Sequence, residues 1–151
     1  MPNVGRSEIV GVAVLLAASL VTAAVLPRPS AAGLIRRYWD NTNWRGTPLV
    51  EAVGSMPTGK DFEHHLPAAA RAGGSAEWTG FLLVEDAGSH QFDLVSDEGA
   101  WLYVHEVLVA GNGAHGRQAT TGRINLYAGQ HLLRVCYFQP GGGGGAALQI
   151  R

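Results

Sequence analysis

Two runs of sequence decide the fold: Ala87-Gly-Ser-His-Gln-Phe-Asp-Leu-Val-Ser-Asp-Glu-Gly-Ala-Trp-Leu-Tyr-Val104 and Leu126-Tyr-Ala-Gly-Gln-His-Leu-Leu-Arg-Val-Cys-Tyr-Phe-Gln139. Stretches rich in aliphatic and aromatic residues alternate in them with breaks that carry Gly, Asp or Ser. This alternation is typical of consecutive antiparallel strands. The sequence therefore predicts an all-β domain.

The same pattern extends outward from these runs in both directions. Strands are predicted at residues 34–39, 76–84, 90–95, 100–105, 107–110, 123–126, 131–138 and 146–151. Seven or eight short strands at this spacing indicate an antiparallel β-sandwich or a closed barrel. Residues 54–74 carry clustered Pro and Gly and are predicted to be mostly loop, with one short helical turn.

Alternation along the strands predicts which side chains form the core. The inward sets are Phe92 with Leu94, Leu102 with Val104, and Leu133 with Val135 and Tyr137. Trp78 and Trp101 are predicted to be the large core anchors. Trp39 and Trp44 stand close to predicted loops and are expected to be partly exposed.

Length, charge and cysteine usage limit the classes of protein to consider. The chain of 151 residues has room for one ordinary domain. Its formal net charge of -1 argues against nucleic acid as a partner, since such proteins usually carry a clustered basic face. Cys136 is the single cysteine, which excludes an intrachain disulfide and a thiolate zinc site. It lies in an apolar strand and is predicted to be a buried, inert thiol.

An uncharged apolar segment precedes the β-domain at residues 9–27. As a helix it would span about 28 Å, close to the hydrocarbon thickness of a bilayer. We interpret it as a transmembrane helix or uncleaved signal anchor, between a short tail at 1–8 and a linker at 28–32. A cleaved secretory signal is the alternative, with Ser30-Ala31-Ala32 before Gly33 as the cleavage site.

The anchor segment contains many Gly and Ala residues, and small residues let helices approach closely in lipid. Other membrane-protein subunits are therefore predicted partners, through this segment and through the β-domain. The alternative is that small residues are merely tolerated there.

The order of the β-domain motifs resembles the PA-fourteen (PA14) domain family, named for the anthrax protective antigen and found in yeast flocculins and some β-glucosidases. The similarity rests on Gly33-Leu-Ile-Arg-Arg-Tyr-Trp, Trp78-Thr-Gly-Phe-Leu, the run from Ala87 to Val104, and Arg134-Val-Cys-Tyr-Phe-Gln. It covers residues 33–151. The resemblance implies a β-sandwich that works on the periplasmic or extracytoplasmic side, often in carbohydrate or surface recognition.

The sequence departs from this family at the positions tied to sugar binding. Glycan-binding members hold calcium through two adjacent Asp residues, whereas the nearest pair here is Asp97-Glu98. These two are weak calcium candidates, because acidic residues next to Gly99 also suit a tight turn and calcium needs about 6–8 oxygen ligands. His105-Glu106 stands where the family tends to have an Asp-Gly turn. No other cofactor is predicted.

No catalytic motif emerges from the sequence. Glu63-His64-His65 lacks an evident third metal ligand, and the glycine-rich runs do not lead into the Lys-Ser or Lys-Thr start of a phosphate-binding helix. We therefore expect a protein that is not an enzyme.

Two functional hypotheses follow. The first is an accessory subunit whose extracytoplasmic β-sandwich docks on a larger membrane-protein complex. The second is a carbohydrate-binding surface module, in which Trp39, Trp44 and Tyr127 would stack on sugar rings.

Overall fold

The computed structural model describes residues 33–59, 73–113, 116–141 and 148–150. The predicted anchor, the linker and residues 60–72 of the predicted loop lie outside them. Within the described ranges, no helix has the length and apolar character that crossing a membrane requires.

Nine strands make up the described β-domain. They are β1 (Leu34–Trp39), β2 (Val50–Gly54), β3 (Gly74–Val84), β4 (Gly88–Ser96), β5 (Ala100–Val104), β6 (Val107–Asn112), β7 (Gln118–Leu126), β8 (Gly129–Gln139) and β9 (Leu148–Ile150). The sequence did not predict β2. This short strand lies at the edge of its sheet, and its Val53 is exposed, so its sequence lacks the buried apolar positions that mark the other strands.

The strands form two antiparallel sheets that pack as a sandwich, which confirms the predicted all-β class. The larger sheet has the order β2-β1-β3-β8-β5-β6 and the smaller has the order β7-β4-β9. The sheets approach most closely where β7 crosses β6: a Cβ on Gly122 would lie only 1.8 Å from the carbonyl oxygen of Val109. Any side chain at Gly122 would push these two strands apart.

The core lies between the two sheets. Trp78 is fully buried, and its ring meets Tyr38 edge to face at 5.9 Å between centroids. The inward sets predicted from alternation are all buried: Phe92, Leu94, Leu102, Val104, Leu133, Val135 and Tyr137. Buried polar contacts also join the two sheets: the Asn112 amide donates to Ser96 Oγ at 2.7 Å and to the Ser96 carbonyl at 3.2 Å.

Trp101 is not a core residue, so that prediction was wrong. Its neighbours Ala100 and Leu102 point into the core, and alternation therefore places Trp101 on the outer face of the larger sheet. There it stacks on Phe138 (5.8 Å, 22°), and Trp44 from the β1–β2 loop packs against the edge of both rings. Three aromatic rings thus cover this end of the sheet from outside.

Replacing Trp78 by Ala should destabilise the domain by about 3–5 kcal/mol, because a large, fully buried side chain leaves a cavity. Trp101→Ala is the matched control, and the loss of its partly buried ring on the outer face should cost clearly less. Chemical denaturation of both variants measures the difference. Equal losses, or near-normal stability of Trp78→Ala, would contradict the core described above.

Candidate functional site

The turn between β4 and β5 carries the two weak calcium candidates. The Tyr137 hydroxyl donates to Asp97 Oδ1 at 2.9 Å, and Ser96 Oγ donates to the Glu98 carbonyl at 2.7 Å. The first contact ties the turn to β8, and the second closes the turn on the end of β4. The described part of the chain brings no three His, Cys, Asp or Glu side chains together in a way that could hold a metal ion. The observed partners of Asp97 and Glu98 are those of a structural turn.

Two of the three aromatic candidates serve the fold rather than the surface. Trp39 was expected to be partly exposed, but only 6% of it is, and its indole N–H donates to the Gly46 carbonyl at 3.0 Å. Trp44 is half-buried and donates its indole N–H to the Ala76 carbonyl at 2.9 Å. The β1–β2 loop folds back onto the sheet, where it brings in the Trp44 ring and supplies the Gly46 carbonyl that covers Trp39 at the end of β1. Proximity to a predicted turn does not reveal this.

Tyr127 is the strongly exposed member of the three. It comes directly after β7, and 82% of the residue is open to solvent. Its carbonyl accepts a hydrogen bond from His131 Nε2 at 2.8 Å, which fixes the backbone of the β7–β8 turn. The ring is therefore presented from an anchored turn.

The outer face of the smaller sheet carries a polar strip, which we define as Gln91, Asp93, Thr121 and Arg123. In the β4–β7 register, Gln91 lies opposite Arg123 and Asp93 lies opposite Thr121. Arg123 donates to Gln91 Oε1 through Nη2 (2.7 Å) and Nε (3.1 Å). Thr121 donates to Asp93 Oδ1 at 2.6 Å, and the Gln91 amide reaches the same carboxylate at 3.3 Å. The four side chains hold one another in place.

The β5–β6 turn is strained, because His105 and Glu106 both adopt positive φ (51° and 61°). Two-residue turns of this type favour Asn, Asp or Gly. The Arg134 guanidinium on β8 donates two hydrogen bonds to Oε2 of the Glu106 carboxylate. The distance is 2.5 Å from Nη2 and 3.0 Å from Nε. Arg134 also lies over the Tyr103 ring, with 4.1 Å between its Cζ atom and the ring centroid. These contacts stabilise a turn that the backbone alone would disfavour.

Two hydrogen-bonded histidines join the β5–β6 turn to the β7–β8 turn. His105 Nε2 lies 2.8 Å from His131 Nδ1, and His131 Nε2 lies 2.8 Å from the Tyr127 carbonyl. Since a carbonyl can only accept, His131 Nε2 carries a proton and donates it to Tyr127. In the neutral imidazole Nδ1 then accepts, and His105 is the donor. The exposed Tyr127 turn is thereby tied to the neighbouring hairpin.

The outer face of the larger sheet is apolar where β1 begins. We define the apolar patch as five exposed side chains: Ile35, Val53, Phe81, Leu83 and Leu132. Ile35 lies opposite Val53 in the β1–β2 register, and Phe81 lies opposite Leu132 in the β3–β8 register. Sequence alternation alone did not single out this face, because it does not reveal which outward positions of neighbouring strands meet.

Comparison with known proteins places the chain in a family. The model of the PA14 domain matches residues 30–151. The chain belongs to the PA14 domain family. This agrees with the resemblance inferred from the motifs.

Solved structures share the PA14 fold at low sequence identity. The PA14 sugar-binding domain from an RTX adhesin is 21% identical with a TM-score of 0.61, and the match covers 80% of this chain and 89% of that one. An anti-sigma factor domain-containing protein is 21% identical with a TM-score of 0.66, covering 83% and 43%. A GH31 alpha-xylosidase from Xanthomonas citri is 25% identical with a TM-score of 0.60, covering 80% and 14%.

The chain thus spans less than half of the anti-sigma factor domain-containing protein and a small part of the alpha-xylosidase. These likenesses establish the PA14 fold. A search of curated proteins found no match.

The ion pair between Glu106 and Arg134 should make the free energy of unfolding depend on pH. Arg134 lowers the pKa of Glu106 below its ordinary value of 4.5, chiefly through their hydrogen bond. A lowered carboxyl pKa contributes stability above about pH 4.5 that is lost as the pH falls through the folded-state value. We expect Glu106→Gln to remove this part of the acid sensitivity. Urea unfolding at several pH values measures it.

The control for that series is Glu85→Gln, in the exposed β3–β4 turn. An unchanged pH profile in Glu106→Gln, or the same change in both variants, would contradict a stabilising role for the hairpin ion pair.

Burial raises the pKa of the Cys136 thiol to about 11. Little thiolate exists at neutral pH, and the thiolate is the reactive form. We expect Cys136 to resist iodoacetamide at pH 8 in the native protein and to react promptly in urea. Mass spectrometry of the alkylated protein measures this. Rapid labelling of the folded protein would show that the outer face opens over β8.

Proposed function

We propose that this chain is a non-catalytic, membrane-anchored accessory module. Residues 9–27 hold it in a membrane, and its β-sandwich docks on a larger membrane-protein complex on the extracytoplasmic side. The observation that carries the docking is the pre-ordered polar strip, with the exposed Tyr127 at the end of β7.

The polar strip suits a protein partner because its side chains are already paired by hydrogen bonds before binding. Each of its four side chains is already hydrogen-bonded within the strip, so little side-chain freedom is lost when a partner covers it. Tyr and Arg are also the residues enriched where protein interfaces gain most of their binding free energy. Tyr127 and Arg123 supply one of each.

The side-chain pairs of the described residues support a non-catalytic role. Arg37 with Glu51 (2.6 Å), Arg134 with Glu106, and His105 with His131 each join neighbouring strands or turns. In each pair the two side chains bind each other, and these contacts stabilise the fold.

Extraction of the full-length chain from its own membranes in mild detergent tests the docking. We expect co-migration with other membrane proteins at fixed stoichiometry, and loss of that complex in the double variant Arg123→Glu, Tyr127→Ala. The variant should still fractionate with membranes, because the anchor is intact. Arg45→Glu makes the same charge change in the β1–β2 loop and should leave the complex unchanged.

Two results of that extraction would contradict the proposal. Migration of the wild-type chain alone would remove the partner complex. A mature N-terminus at Gly33 would show that residues 9–27 are a cleaved signal.

Carbohydrate binding is the second candidate. Tyr127 favours it, since an exposed aromatic ring can stack on a sugar ring. The chain is similar to the sugar-binding domain of the RTX adhesin. Against it, Trp39 and Trp44 are committed to internal hydrogen bonds.

A glycan array separates the two candidates. Sugar binding that disappears in Tyr127→Ala, with no partner complex in native membranes, would establish the second function and overturn the first.

We expect Asp97→Asn with Glu98→Gln to leave partner binding intact, since both residues serve the turn. A calcium-dependent loss in this variant would restore Asp97 and Glu98 as a metal site.

A further inference from the structure

We propose that the apolar patch is a lipid-contact surface that lies in the interfacial region of the bilayer. The inference rests on the proposed function in one respect: it requires residues 9–27 to be the anchor. It adds a second membrane contact, made by the folded domain itself.

The patch exposes large apolar side chains at adjacent positions rather than scattered ones. Leu83, Val53 and Phe81 are 68%, 62% and 59% exposed, although they belong to well-paired strands. Single exposed apolar residues are ordinary on soluble proteins, but a contiguous apolar surface marks a place that something covers. The direct pairs Ile35–Val53 and Phe81–Leu132 lie on four neighbouring strands. Across the β1–β3 pairing they are diagonal neighbours, since Thr79 is the residue directly opposite Ile35.

The patch surrounds the point where the chain enters the β-domain. Gly33 immediately precedes β1, and a Cβ on it would lie 2.7 Å from Val53 Cγ1. The Gly33 carbonyl in turn lies next to Gly80, one residue before Phe81. The described β-domain therefore begins beside the patch, at Gly33.

The short connection between residues 9–27 and the β-domain favours the bilayer as the surface that covers the apolar patch. Six residue steps separate Pro27 from Gly33, and a fully extended chain covers at most about 20 Å in six steps. Gly33, beside Val53 of the patch, is consequently held within this distance of the hydrocarbon boundary. A tethered apolar surface meets the interface at high effective concentration, so even a weak intrinsic affinity suffices. A protein partner would have to occupy the same narrow gap.

This contact also orients the module. The patch lies on the outer face of the larger sheet and the polar strip lies on the outer face of the smaller sheet, which are opposite sides of the sandwich. With the patch on the lipid, Arg123 and Gln91 face away from the membrane. The surface proposed to dock on a partner is thus the one that remains accessible.

Site-specific fluorescence in the full-length chain tests the proposal. In a Cys136→Ser background, Leu83→Cys and Gln91→Cys each receive an NBD label, and each protein is reconstituted in nanodiscs of phosphatidylcholine and phosphatidylglycerol. We expect a blue-shifted emission at position 83 and at least a twofold quenching by spin-labelled lipid there. The probe at position 91, on the polar strip, should show neither.

The outcomes separate the patch from the anchor. Equal, water-like emission at both positions in a protein that is still embedded in the nanodisc would overturn the lipid contact and leave the anchored function standing. Burial of position 83 only in native membranes, without quenching by lipid, would assign the patch to a protein partner instead. Failure to incorporate into nanodiscs would overturn the anchor, and with it both proposals. Phe81→Glu provides a second check, since it should release the probe at 83 to water without altering the unfolding temperature.

Discussion

The antiparallel pairing of β3 with β8 is the constraint on which the rest of the structure depends. The two strands pair without interruption from Gly74 opposite Gln139 to Val84 opposite Gly129. Because side chains alternate strictly in a strand, this register assigns every residue of both strands to one face. It places Trp78 and Val135 in the core and Phe81 and Leu132 on the surface. A slip by one residue would exchange the two sets, exposing the largest core ring and burying the apolar patch.

The two ends of this central strand pair differ in how their outer face is covered. At one end, Trp44 and Phe138 enclose Trp101, so the outward aromatic side chains are largely covered by the β1–β2 loop. At the other end, around Phe81, the described residues place no comparable loop over the sheet, and the apolar side chains stay open. The difference explains why one outward-facing aromatic cluster is packed into the fold while the other apolar group stays exposed to solvent.

The sequence predicted the fold class and most strands because both depend on local alternation. It also predicted the inward faces correctly where small or branched residues alternate regularly, as at Leu102 and Val104. Trp101 differs from its prediction because alternation with the inward Ala100 and Leu102 places it on the outer face despite its hydrophobicity. The β2 strand was missed because an edge strand with an exposed Val53 has little apolar signal.

The surfaces were much less predictable than the core. The polar strip depends on Gln91 lying opposite Arg123, and these residues are far apart in sequence, so only the register brings them together. Exposure of Trp39 was predicted from its place beside a turn, but the turn folds back and supplies the Gly46 carbonyl to its indole. Local patterns specify which residues point outward, whereas the pairing of distant strands decides which of them form a common surface.

The opposite character of the two outer faces has a physical consequence for any tethered form of this domain. An apolar surface open to water is unfavourable in free energy, roughly in proportion to its area, unless it is covered. Lipid at the entry point of the chain would remove that cost, and the polar strip would keep the opposite face hydrated. Since the connection spans at most about 20 Å, the tether limits how far the apolar face can turn away from the bilayer. Orientation would then follow from the same register that separates the two faces, without a dedicated hinge or a second domain.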